Sequence, residues 1–358
     1  MTLGCYGLVQ VVLLPVAVLA LAVSGRPEGW TGLVPLGSNK GVNFKPFPGV
    51  HLRQETIGDD FLSSVAARPK RDPVHQVDDC IYTTLEEGEF YSKAGTRRVG
   101  ETCGIYINAD PDQLIEIKFN YFDVPCENGG LVVVVDGWEL SGEVFPSPED
   151  HPKDLKSRLN EYCGRRKIKQ AFMSSQNAAL IQYRMPSRTA SFSFSVRFVK
   201  NPTPCNILLQ PDETYTLRNY DKRSNCSVSA LVPAAVNILN INVGVTPSRN
   251  RGLEFETGTI YKVRAECQKR GLDDYVQIGG SNGLDNSNMQ IADTLCGLSS
   301  KPGSHVEYIG CGTTSVRLVS SGGYDNSITV HLKKLTENDI NSYMSVVCIP
   351  DDIELEEK

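Results

Sequence analysis

Two short patterns in this chain carry residue types that could do chemistry. Gly279-Gly280-Ser281-Asn282-Gly283 contains Gly-x-Ser-x-Gly, the spacing of a serine nucleophile held on a strained strand-to-helix turn. A strand does precede it, but Leu284-Asp285-Asn286-Ser287-Asn288 follows with turn residues and no helix start. Ser281 is therefore read as a loop hydroxyl. Asp150-His151 sets a carboxylate beside an imidazole, yet adjacent residues rarely face each other as an acid–base relay requires. His151 is read as a loop residue at a surface suited to binding. Five histidines, with no Cys-x-x-Cys and no His-Glu-x-x-His, leave no metal centre to assign. The expectation is a protein without catalytic residues, cofactor or metal.

Cysteine is the more informative residue type. Eleven occur. Cys5 lies in an apolar N-terminal segment that ends at Ala22-Val23-Ser24. Small residues there suit signal peptidase, with cleavage after Ser24 and Gly25 as the first mature residue. The apolar part, residues 8–23, is interrupted by Pro15 and falls short of the roughly 20 residues of a membrane span. Ten cysteines then remain in an exported chain: Cys80, Cys103, Cys126, Cys163, Cys205, Cys226, Cys267, Cys296, Cys311 and Cys348. That even number reads as five disulfides, but spacing alone does not say which cysteine meets which. A net charge of −6 argues against a nucleic-acid surface, which needs clustered Lys and Arg.

The elements around these residues are strands. Residues 131–135 are an unbroken Leu-Val-Val-Val-Val run, expected of a strand buried on both faces. Residues 114–121 alternate, with Ile115, Ile117, Phe119 and Tyr121 on one face; residues 191–198 alternate through Phe192, Phe194, Val196 and Phe198. A second set follows Cys205, and Cys267 repeats the context of Cys126 about one domain length later, as an internal duplication would. With no sustained helical period, the fold class expected is all-β, two disulfide-stapled β-sandwiches. The boundaries expected are a leader at 1–24, an arm or pro-segment at 25–75, domains at 76–201 and 202–336, and an acidic extension at 337–358 tethered by Cys348. Arg68-Pro69-Lys70-Arg71 matches a furin-type site, with cleavage after Arg71; the alternative is a solvated basic patch.

One order of features recurs in a known module. A cysteine, a buried strand, Asp136-Gly137, Tyr162-Cys163-Gly164, Ser174-Ser175-Gln176-Asn177 and another strand resemble a CUB domain, a jelly-roll sandwich. The wording is narrower than that. Asp136-Gly137-Trp138, Phe145-Pro146-Ser147, Asp150-His151-Pro152 and Val319-Ser320-Ser321-Gly322 resemble the corticotropin-releasing-factor binding proteins, from about Asp78 onward. The resemblance implies that neighbouring cysteines pair: 80–103, 126–163, 205–226, 267–296 and 311–348. It also implies a secreted glycoprotein, not membrane-bound, that sequesters a CRF-like amphipathic peptide hormone, with Asn225 of Asn225-Cys226-Ser227 as the glycan site. In vertebrate members an Arg and an Asp flanking the first mature cysteine are tied to ligand binding. Here those places hold Gln76 and Tyr82, which points to an invertebrate-type member and a divergent, diuretic-hormone-type peptide. The alternative is a CUB-type adaptor or co-receptor binding another protein or a matrix component. Many CUB modules hold calcium; Asp123 and Asp325 are the oxygens available here, and the return loop of the first module offers Arg188 and no Asp. Calcium is not expected in the first module and stays open in the second.

Overall fold

The computed structural model describes residues 74–95, 99–244, 259–262, 273–299, 305–340 and 343–348. Strands are numbered along the chain. The first module is two sheets face to face. One runs in the order β1 (Val74–Gln76), β3 (Gly88–Lys93), β13 (Ser191–Lys200), β5 (Gln113–Val124), β10 (Gly164–Arg165), with β11 (Phe172–Met173) also on β5. The other runs β2 (Ile81–Thr84), β4 (Thr102–Asn108), β12 (Ala178–Arg184), β6 (Leu131–Asp136), β9 (Leu159–Tyr162). A separate hairpin, β7 (Trp138–Leu140) and β8 (Glu143–Phe145), leaves the end of β6. Between the sheets lies a core of Ile, Val and Phe. Phe90 and Phe194 stack at 5.2 Å, and Phe119 sits edge-on to Phe122 at 5.5 Å.

Alternation alone misplaces one residue of that core. Tyr121 is 45% exposed, while Phe122 is buried. The cause is a bulge: Phe194 faces Phe119, but Ser193 faces Tyr121, so Asn120 is the extra residue. An inserted residue flips the phase of everything after it. The valine run of β6 is also less enclosed than its composition implies, because Leu131 and Val133 are only half-buried.

The second module holds β14 (Asn206–Leu208), β15 (Glu213–Arg218), β16 (Ser224–Ala230), β17 (Ala234–Val243), β18 (Thr259–Lys262), β19 (Tyr275–Ser281), β20 (Gln290–Ser299), β21 (Val306–Gly310), β22 (Thr313–Ser320), β23 (Ser327–Lys334) and β24 (Val346–Val347). Its two layers are joined, because β20 pairs with β19 near its start and with β17 near its end. The core they enclose is again aliphatic, and includes Cys226, Cys296, Cys311 and Cys348. A four-residue helical turn, Glu337–Ile340, follows β23.

Disulfides join Cys80 to Cys103, Cys126 to Cys163, Cys205 to Cys226 and Cys311 to Cys348. Cys296 is also disulfide-bonded, and Cys267 lies outside the described residues, as do Ser24, Gly25, Arg71 and the acidic tail. No described helix is long and apolar enough to cross a membrane.

Candidate functional site

The short motifs singled out in the first module converge on its joint with the second. Asp136 ends β6 almost fully buried. Gly137 follows at φ +111°, where a Cβ would meet the Phe145 carbonyl oxygen at 2.1 Å, so only glycine turns the chain here. The Asp136 carboxylate accepts from the Ser175 amide and hydroxyl, both at 2.6 Å, and from the Lys153 ammonium at 2.7 Å. Burial by itself would raise its pKa. The facing His151 ring, Lys153 and Ser175 outweigh that and hold it well below the usual carboxylate range. His151 is thus not a surface loop residue. It is 7% exposed, with Nε2 3.6 Å from Asp136, a separation too long for a hydrogen bond.

Arg158, fully buried, braces the same loop. Its guanidinium donates to the carbonyls of Asp136, Pro146 and Phe145 at 2.9, 2.8 and 3.1 Å. Burial lowers its pKa, and Asp136 partly offsets this. Nothing in the sequence marks Arg158, since its partners are all backbone oxygens.

The loop so held presents Asp150 to the second module. Arg317 of β22 grips that carboxylate with two N–H groups, at 2.8 and 2.6 Å, and Glu149 lies 3.6 Å away. Asn177 of the first module exchanges two hydrogen bonds with the backbone of Leu208, at 2.8 and 3.1 Å. Asn206 donates to the Asp150 carbonyl. Beside these polar contacts Phe145 and Ala178 pack against Leu208 and Leu284, with Trp138 at the edge. Trp138 is itself fixed by an indole N–H donated to the Ile107 carbonyl at 3.0 Å.

The Gly-x-Ser-x-Gly stretch belongs to the same joint. Ser281 ends β19 and its hydroxyl donates to the Gly283 carbonyl at 2.8 Å. Any side chain at residue 283 would run into the Glu143 carboxylate, 1.8 Å from the ideal Cβ. Glu143 in turn accepts from the Asp285 amide. The glycine spacing serves close packing, with no nucleophile presented.

A cleft of about 870 Å³ opens along this joint, lined by His151, Gln176, Tyr220, Lys222 and Asn225 among others. Asn225 is half-buried on β16, between β14 and β22. The two other residues named from the resemblance, Gln76 and Tyr82, do not line this cleft. Gln76 is exposed on edge strand β1 and donates to Asp78 at 2.9 Å. Tyr82 is on β2, the edge of the opposite sheet, with its ring edge-on to Phe90 at 6.4 Å. Its neighbour Ile81 points outward, 71% exposed. Of the two carboxylates weighed for calcium, Asp123 accepts from the Tyr121 hydroxyl, and Asp325 is held by Arg218 at 3.2 Å. A guanidinium already balances Asp325.

Two disulfide-stapled β-sandwiches joined through a buried ion pair define the class of protein as a two-module, all-β chain. A family model described as the corticotropin-releasing factor binding protein N-terminal domain matches residues 74–200, and its C-terminal counterpart matches residues 207–341. This chain belongs to the corticotropin-releasing factor binding protein family. The Ovis aries corticotropin-releasing factor-binding protein is 32% identical over 257 residues, covering 72% of this chain and 75% of its own length. The Homo sapiens protein is 30% identical over 292 residues, covering 80% and 86%. Among solved structures, the CUB1-EGF-CUB2 domain of human MASP-1/3 covers 68% of this chain and 99% of its own, at a TM-score of 0.22 and 10% identity. A likeness that low carries no weight beside the sheet order itself.

Proposed function

We propose that this chain is a secreted carrier that sequesters a CRF-like peptide hormone and limits its access to the receptor. The observation that carries the reading is the family match, which runs in order through both modules. The joint adds physical support, because it makes the two modules one preorganised surface, which cuts the cost of binding. The hormone class is amphipathic and helical, so capture takes the form of a helix laid on apolar anchors, with a few of them carrying most of the energy. The N-terminal edge supplies candidates: Val74, Ile81 and Leu85 are 55%, 71% and 53% exposed. Gln76 and Tyr82, where vertebrate relatives carry a charge pair, shift recognition toward apolar contact and a divergent peptide.

The test is calorimetry of the secreted protein with a synthetic diuretic-hormone-type peptide, followed by mass spectrometry of the ligand. The expected result is reversible binding with the peptide recovered intact. Ile81→Asp should weaken it by about 2 kcal/mol or more, roughly thirty-fold in Kd. A shortened peptide would mean a hydrolase. Failure to bind, with a large extracellular protein captured instead, would favour the adaptor reading.

A further inference from the structure

Two groupings of metal-ligand side chains occur among the described residues. In the first, Cys80 and Cys103 with Glu101, both sulfurs are spent in a disulfide. The second, Asp293, His305 and Glu307, lies in the second module.

Strand geometry builds it. β20 is bulged against β19: Ile278 faces Asp293, but Gly279 faces Ile291, so Ala292 is the extra residue. Such a bulge re-aims the side chain beside it. On β21, Glu307 stands opposite Val236 of β17 and shares its face, and His305 lies two residues earlier, in the same phase. The backbone of His305 is pinned by the Ile238 amide, which donates to its carbonyl at 3.1 Å.

All three side chains are largely enclosed: His305 is 4% exposed, Asp293 14% and Glu307 13%. His305 Nε2 stands 3.1 Å from Asp293 Oδ2 and 3.0 Å from Glu307 Oε1, yet makes a hydrogen bond with neither. A buried polar nitrogen left in this state is costly in a protein alone. A cation placed against all three donors removes the cost. The donor atoms lie within 4.8 Å of one another. Tetrahedral zinc, with bonds of about 2.0–2.1 Å, sets its ligands about 3.3 Å apart, close to the spacings seen. One imidazole nitrogen and two carboxylate oxygens are a donor set that suits a divalent ion. An imidazole donor favours a transition metal, whereas calcium and magnesium want oxygen throughout.

We propose that Asp293, His305 and Glu307 bind a zinc ion, with water in the fourth position. The ion ties β20 to β21 where the layers of the second module meet.

The experiment is titration of the chelator-treated, full-length secreted protein with zinc chloride, read by calorimetry and by the thermal midpoint. One zinc per chain should bind and raise the midpoint. Affinity should fall as the pH is lowered, because the ligands must be deprotonated. His305→Gln and Glu307→Gln, which keep size and shape, should each weaken binding by about 10–100-fold or more while the unliganded proteins stay folded. No zinc binding, calcium binding in its place, or variants that bind as tightly as the parent would each overturn the proposal.

Discussion

Arg317 and Asp150 lie 167 positions apart in the chain, and their two parallel hydrogen bonds clamp the second module to the first. The Asp150 side chain is 0% exposed and that of Arg317 11%. The carboxylate is the first cause of the raised Arg317 pKa, ahead of the opposing effect of burial. A pair this dry contributes chiefly to orientation, because desolvation offsets much of its attraction.

Arg317→Ala leaves the Asp150 carboxylate buried and unpaired. Breaking a buried pair from one side typically costs about 3–5 kcal/mol. The expected outcome is a lower denaturant midpoint and a more extended scattering profile, with the four described disulfides intact. An unchanged profile would mean that the apolar cluster of Phe145, Leu208 and Leu284 holds the modules by itself.

Asp136 sets an acid limit on the same joint. Folding lowers its pKa, so the unfolded chain holds that proton more tightly. The stability it supplies is present above the unfolded value of about 4 and is lost as pH falls below it. Asp136→Asn should flatten stability against pH across that window while lowering it at neutrality. Urea melts between pH 2.5 and 7 read both effects, and parallel curves for the two proteins would refute the assignment.

Tyr82 and Ile81 should separate stability from binding. The Tyr82 ring packs on the first core, so Tyr82→Ala should destabilise the fold by about 2 kcal/mol or more, as large-to-small core changes do. Ile81→Ala should leave the melting curve nearly unchanged and act on peptide dissociation. Loss of affinity in Tyr82→Ala without loss of stability would show that the tyrosine itself touches ligand.

The four described disulfides close loops with separations of 21 to 37 residues. Each should contribute roughly 2–5 kcal/mol, so full reduction should unfold the protein at physiological temperature. Peptide mapping without reduction should find Cys267 joined to Cys296. A link from Cys126 to Cys267 would contradict the separation of the modules.

Much of this was legible in the residues themselves. Strands announced themselves by period-two alternation, as in the phenylalanines of β13, because a half-buried strand imposes that period locally. The resemblance supplied the pairing of neighbouring cysteines, for which the spacing alone is silent. Other features arise between distant segments, and no local pattern records them. The bulge that turns Tyr121 out and Phe122 in depends on how β5 meets β13. His151 reads as a loop histidine until Asp136 and Lys153 close around it. The Asp150-His151-Pro152 and Ser174-Ser175-Gln176-Asn177 motifs carry the family resemblance, but the partners they meet, Arg317, Leu208 and Cys205, belong to the other module. The cluster of Asp293, His305 and Glu307 exists because a bulge on one strand faces the end of another. Alternation and turn chemistry are properties of neighbouring residues, whereas burial, strand register and the meeting of charges are properties of the packed chain, and only the tertiary structure decides them.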